Sequence, residues 1–163
     1  MNIKINPIKN PQGADAQRII DWSEKYAIGI DVIDAQHREL VNLTNELYKA
    51  CITSDAGIGD VFKEAMRRMV EYVNFHFTAE MKLLEKIRFP DSQNHKKQHD
   101  QLVKNILEAV KGFNEGKKFV PNQFVRTLED WILGHIAVYD QIFAAFVRDQ
   151  KKKGLLTDRD ISA

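Results

Sequence analysis

HFTAEMKLLEKIRFPDSQNHKKQH, residues 76–99, carries three of the chain's five histidines and one well-placed glutamate, Glu80, set among Phe, Leu and Ile. An imidazole buried in such company costs free energy unless its ring nitrogens find partners. His76 and Glu80 are four residues apart, and so are His95 and His99. On an α-helix that separation puts both side chains on one face, with Cβ atoms about 5–6 Å apart. Phe89-Pro90-Asp91-Ser92 lies between the two pairs and reads as a stop and restart, Pro90 ending one helix and Asp91 or Ser92 capping the next. The stretch is thus the end of one helix and the start of another, each offering a pair of polar side chains to a shared interior.

Working outward, the helix that contains His76 extends over about Asp60 to Arg88, with Phe62, Met66, Met69, Val73, His76, Glu80, Leu83 and Ile87 on its inner face. The helix that contains His95 covers about Ser92 to Phe113, with His95, His99, Leu102, Ile106 and Val110 inward, and ends near Asn114-Glu115-Gly116. An earlier segment, about Asp34 to Thr53, places Ile33, His37, Leu40, Thr44, Leu47 and Cys51 on one stripe before Asp55-Ala56-Gly57-Ile58-Gly59 breaks it. A later one, about Pro121 to Gln150, starts on a proline suited to a first helical turn and shows Phe124, Leu128, Trp131, His135, Val138, Ile142 and Phe146. No β-type alternation occurs. These segments and their short connections predict an all-α fold, an antiparallel up-down-up-down four-helix bundle. Pro7, Pro11 and Gly13 mark residues 1–20 as an N-terminal arm; residues 21–150 form the bundle and 151–163 a C-terminal tail.

Composition narrows the function. Lys and Arg total 24 against 23 Asp and Glu, a net charge of +1, so nothing points to nucleic acid or an anionic membrane as partner. The run Lys151-Lys152-Lys153 reads as solvated tail. No apolar run approaches the roughly 18 residues of a membrane span, so no membrane insertion is expected. MNIKINPIKNPQG lacks the apolar centre of a signal peptide, which makes cytoplasmic the expected location. Cys51 is the only cysteine, which excludes an internal disulfide and a multi-thiolate metal site; it is expected as inert packing in a helix.

Across the chain His37, His76, His95, His99 and His135 each fall on an apolar helical stripe, and every predicted helix contributes. Few Ser, Thr, Asn or Gln share those stripes, so the imidazoles and Glu80 lack the hydrogen-bond partners that a purely structural core would need. Metal resolves the shortage. Five histidines exceed the four ligands of a structural zinc site, the HExxH helix of zinc proteases is absent, and the spacing differs from the Glu-x-x-His of ferritin-like di-iron proteins. An imidazole-rich, thiolate-free set suits iron, zinc, copper or nickel, and two ions about 3.5–4 Å apart bridged by carboxylates would use every group. Asp140 is the remaining bridge candidate, five residues after His135 and therefore about 140° away on a regular helix. Either it reaches in from the side, or a wide turn near Val138–Tyr139 rotates it inward.

The stretches Trp22…Tyr26-Ala27-Ile28-Gly29-Ile30…Ile33-Asp34…Gln36-His37, His76-Phe77-Thr78-Ala79-Glu80, His95-Lys96-Lys97-Gln98-His99 and Trp131…His135-Ile136…Asp140 together resemble the bacterial hemerythrins, four-helix proteins that bind oxygen at a non-haem di-iron centre. The resemblance covers about residues 20–148. It implies that His95, His99 and His135 hold one iron and His37 and His76 the other. Glu80 and Asp140 would bridge the two Fe2+/Fe3+ ions beside an oxo or hydroxo group, with dioxygen as ligand at an open position on the second iron. Met81 stands where many relatives carry a second acidic residue. The activity implied is reversible dioxygen binding for carriage, storage or delivery, with room for a protein partner and no catalytic residue. The competing readings are a di-iron enzyme handling peroxide or nitric oxide, and an oxygen or iron sensor. Sensors of the family are usually joined to a signalling domain, for which this length leaves no room. Phe77, Leu40, Ile132 and Trp131 are the candidates to line the oxygen pocket, while Trp22 and Tyr26 are expected to pin the N-terminal lead-in across the bundle.

Overall fold

The structure, a computed structural model, describes residues 18–53, 58–116 and 121–162. The expected arm therefore lies outside the described residues as far as position 17, as does the break at 54–57. Where the chain enters, the Asn45 side chain holds it: Oδ1 accepts from the Ile19 and Ile20 amides at 2.9 and 3.0 Å, and Nδ2 donates to the Ile20 carbonyl at 2.9 Å. Trp22 and Tyr26 then lie against the core with ring centroids 6.0 Å apart, and the Arg38 guanidinium sits 5.0 Å above Trp22. After a 3-10 turn at Glu24–Tyr26, Asp34 folds its buried carboxylate back onto the Ile28 and Gly29 amides at 2.8 and 2.9 Å. Gly29 sits at φ +79°, a conformation that a Cβ would strain. This cradle fixes where the first helix begins and hence where His37 points.

Helices α1 (Asp31–Thr53), α2 (Ile58–Lys86), α3 (Ser92–Asn114) and α4 (Pro121–His135) follow. α1 packs against α2 and α4, and α3 against α2 and α4, which closes the four into a ring around one core. No strand occurs among the described residues, and no helix among them is long and apolar enough to cross a membrane. Cys51 lies within α1, half-buried, and burial pushes its thiol up to about 12, which keeps it protonated and unreactive near neutral pH.

The join between α2 and α3 is made differently from the sequence expectation. α2 stops at Lys86, before Pro90 can act. The Phe89 amide donates to the Leu84 carbonyl at 2.9 Å and the Arg88 amide to the Glu85 carbonyl at 3.0 Å, with Arg88 left-handed at φ 57° and Phe89 and Leu84 both buried. This is a Schellman stop with its apolar clasp, and the proline merely follows it. Asp91 occupies the N-cap of α3, but its side chain makes no cap bond; its Oδ2 accepts from Asn94 Nδ2 at 3.3 Å instead.

The largest departure comes after His135. The expected single helix is interrupted by a π-helical turn, Ile136–Asp140, before α5 (Gln141–Lys152) resumes. Val138 and Ile142, expected inward, are 51% and 49% exposed. One extra residue in the turn takes up roughly 100° of rotation, so the inner face downstream becomes Asp140, Phe143, Ala144 and Val147, all buried. The segment expected as a solvated tail also turns back. Lys151 pairs with Asp158 at 2.5 Å, Gly154 at φ +70° ends α5, and α6 (Asp158–Ile161) starts on a Thr157–Asp160 capping box and buries Ile161 against the core.

Candidate metal centre

α1 delivers His37, α2 delivers His76 and Glu80, α3 delivers His95 and His99, and α4 with its π turn delivers His135 and Asp140; all of these side chains are buried. Glu80 Oε2 lies 3.1 Å from His95 Nε2 and 3.1 Å from His99 Nε2. His135 Nε2 approaches His99 Nε2 at 3.0 Å and His95 Nε2 at 3.3 Å. On the other side His37 and His76 meet edge to face with centroids 5.0 Å apart. Glu80, His95, His99 and His135 form one group of donor atoms within 4.8 Å of one another, and His37, His76 and Glu80 form another. Glu80 belongs to both.

Asp140 spans the same two groups: Oδ2 is 3.2 Å from His37 Nε2, and Oδ1 is 3.2 Å from His135 Nε2 and 3.4 Å from His95 Nε2. Of the two routes open to it from the sequence, the wide turn is the one the chain takes. The π turn shrinks its angular offset from His135 from about 140° to about 40°.

The hydrogen-bond accounting of this cluster fails as a purely structural core. Both nitrogens of His37, Oε1 of Glu80, both oxygens of Asp140 and Nδ1 of His99 and His135 are buried without a hydrogen-bond partner among the described residues. His37 and Asp140 are close enough to attract, yet their angle makes no hydrogen bond. Each such orphan costs about 1–3 kcal/mol. Two imidazole Nε2 atoms, of His95 and His99, crowd Glu80 Oε2, and two, of His95 and His135, crowd Asp140 Oδ1. Wherever such a nitrogen carries no proton, lone pairs face lone pairs, an arrangement that a cation among them relieves. The donor set fits metal ions on that ground.

Charge in the cluster divides by neighbour. Burial pushes Glu80 toward its neutral form, but contacts with His95 and His99 outweigh this and hold it well below the ordinary carboxylate range. Asp140 is lowered too: burial and the Glu80 charge oppose ionisation, and His135 and His37 prevail. Burial works against protonation of His37 and His95 as well, but the Asp140 and Glu80 carboxylates raise both. His76 has no carboxylate in contact, and burial depresses it to about 4. It is a neutral imidazole at pH 7, the form that binds metal.

Two features escaped the sequence reading. Gln36, buried beside His37, accepts from His76 Nδ1 through its Oε1 at 2.9 Å, which fixes the His76 tautomer and leaves Nε2 as the lone-pair nitrogen. Its signal in the sequence is only a polar residue next to a histidine. Tyr139 is the second: half-buried, it stacks on His135 at 5.4 Å and 23°. Of the pocket candidates, Phe77 lies flat on His99 at 3.6 Å and 1°, and Trp131 on His135 at 4.4 Å and 11°. Leu40 and Ile132 are fully buried in the surrounding core.

Comparison with known proteins agrees with this architecture. The family model of the hemerythrin HHE cation binding domain matches residues 28–147. The chain is 31% identical over 131 residues to a bacteriohemerythrin of Stenotrophomonas maltophilia, covering 80% of this chain and 82% of that protein. It is 30% identical over 128 residues to one of Pseudomonas aeruginosa, covering 78% and 80%. A crystal structure of wild-type hemerythrin superposes with a TM-score of 0.71 at 24% identity, over 78% of this chain and 96% of that one, a likeness of fold. With the bundle, the buried His and carboxylate cluster and these matches together, the chain belongs to the hemerythrin family.

Proposed function

We propose that His37, His76, Glu80, His95, His99, His135 and Asp140 hold a pair of non-haem iron ions, bridged by the two carboxylates, and that the chain binds dioxygen reversibly there as a carrier or store. The observation that carries this reading is the convergence of buried donor atoms from α1, α2, α3 and α4–π, with both nitrogens of His37, both oxygens of Asp140 and Oε1 of Glu80 left without a hydrogen-bond partner among the described residues. The iron pair, when bound, supplies the electrons that bind and release dioxygen.

The residues of this chain set the conditions. His95, His99 and His135 form the three-imidazole side of the cluster, and His37 and His76 the two-imidazole side. With both carboxylates shared, the side with fewer donors has room for an external ligand. Imidazole binds metal in its uncharged form, so five histidines against two carboxylates keep a loaded set less negative than a carboxylate-rich one, which favours the ferrous resting form. Phe77 flat on His99 and Trp131 flat on His135 exclude water from the ring faces and keep those rings from swinging. Gln36 holds His76 in one tautomer. Tyr139 is a further titratable side chain against the cluster, stacked on His135, and we assign no catalytic residue.

An anaerobic absorption titration tests the reading. The reduced protein should be colourless, develop colour in air and bleach under argon without added reductant; irreversible oxidation with turnover of peroxide or nitric oxide would replace the carrier with an enzyme. His76→Ala and Glu80→Ala should each bring bound iron well below two per chain. Two irons retained with an unchanged spectrum would remove the assigned ligands.

A further inference from the structure

On the outer side of α1 and α2, away from the iron cluster, a groove of about 620 Å³ runs along the helix pair. Its wall on α2 is a single stripe: Phe75, Ala79, Lys82 and Lys86 recur at steps of three and four, so their side chains share one face. Ala79 is the small residue that leaves the space open. Phe75 is 55% exposed, an aromatic ring offered to the groove with the Tyr72 ring 5.6 Å behind it. Leu83 adds buried apolar surface.

The polar groups are unevenly placed. Glu71 lies one turn before Phe75, and its carboxylate is taken by Arg67 at 2.5 Å. Lys82 and Lys86, at the opposite end, form no ion pair among the described residues. Asp160 feels the Lys86 charge but is committed to the Thr157 amide and hydroxyl at 2.8 and 2.7 Å. The floor carries a second signal. Gln36 is 7% exposed and lines the groove; its Oε1 is used by His76, while its Nε2 donates to nothing among the described residues. A side-chain amide more than nine-tenths buried with its donors unspent lines a space with an apolar wall and two ammonium groups that form no ion pair among the described residues.

We propose that this groove is a binding site for a small amphipathic monocarboxylate. The acid group is held by Lys82 and Lys86, with Gln36 Nε2 as a further donor, and the hydrocarbon lies over Ala79 and Leu83 against the Phe75 ring. Phe75 and Lys82 are seven residues apart, about 10 Å along the helix at 1.5 Å per residue, which sets the length of the apolar body. The volume lies within the range of about 300–1,000 Å³ typical of small-molecule sites, and an apolar lining with a few placed polar groups is their usual make-up. The bound acid would sit one side chain, Gln36, away from His76. The groove does not depend on which metal fills the cluster.

Calorimetric titration of the metal-loaded full-length protein with sodium octanoate tests it, with octanol as the uncharged match. Saturable binding at one site per chain is expected, weakened at least about tenfold in the K82E/K86E double variant, weakened in Phe75→Ala and weakened for octanol. Lys104→Glu, on the outer face of α3, should leave octanoate binding unchanged. No saturable binding, equal affinity for octanol, or full binding in K82E/K86E would overturn the proposal. So would octanoate that shifts the absorption of the iron centre while K82E/K86E has no effect, since the acid would then be ligating the metal.

Discussion

Gln36→Leu isolates one hydrogen bond next to the cluster. The Gln36 Oε1 to His76 Nδ1 contact is 2.9 Å long with both residues buried, and no other acceptor for Nδ1 exists among the described residues. Leucine fills a similar volume but leaves the N–H unpaired, at about 1–3 kcal/mol. A free ring also loses its fixed tautomer, and outer partners of this kind are typically worth 10–100-fold in metal affinity. The expected outcome is iron held between about 10- and 100-fold more weakly, read by competition with a chelator of known affinity. Gln36→Glu keeps an acceptor at the same place and should retain most of the affinity. Urea denaturation of both metal-free variants separates loss of fold from loss of the site. Chelator competition unchanged in Gln36→Leu, or equal losses in Leu and Glu, would refute the claim that this hydrogen bond orients His76.

Three further outcomes follow from the geometry. Phe143→Ala should cost about 3–5 kcal/mol in urea denaturation, whereas Val138→Ser and Ile142→Ser should stay within about 0.5 kcal/mol; the reverse order would mean the π turn does not reset the helix face. For the metal-free protein, His76 is depressed to about 4 by burial, so the unfolded chain takes up that proton first as pH falls. His76's contribution is therefore intact above about pH 6.5 and lost progressively toward pH 4, roughly 3 kcal/mol in all. Wild type should lose more stability than His76→Leu between pH 7 and 4.5, and equal losses would contradict the assignment. Arg88→Gly should stabilise the fold by about 1 kcal/mol, because only glycine adopts the left-handed backbone at that site without cost; a loss in thermal midpoint would show that the Arg88 side chain matters more than its backbone.

How much of this could be read from residues alone differs from place to place. The pairs His76–Glu80 and His95–His99 were legible because a four-residue step on an apolar stripe has one geometric meaning. Asp140 was legible as a candidate but not as a placed side chain. Its position depends on a π turn, and nothing in Ile136-Ala137-Val138-Tyr139 distinguishes a wide turn from a regular one. For the same reason Val138 and Ile142 were assigned to the wrong face: they continue the α4 period, whereas the buried face restarts at Asp140, and only Phe146 of that run still packs against the core. Gln36 was missed because polar residues beside a histidine are usually solvated, and only its distance to a ring on another helix shows its role. The return of Ile161 was missed because a four-residue helix has no period to detect, although Thr157 followed three residues later by Asp160 is a capping signal that was available. The α2 stop was misattributed to Pro90 because a left-handed arginine has no sequence signature.

The wide turn at Ile136–Asp140 also bears on any effort to transplant this set of side chains. An idealised straight bundle can satisfy α4 as far as His135 or α5 from Asp140 onward, but not both, because the two halves belong to lattices offset by one residue. A designer who copied the seven residues onto regular helices would build a cavity with its last carboxylate turned outward. The surplus residue is therefore part of the donor set, although it offers the cluster no atom of its own.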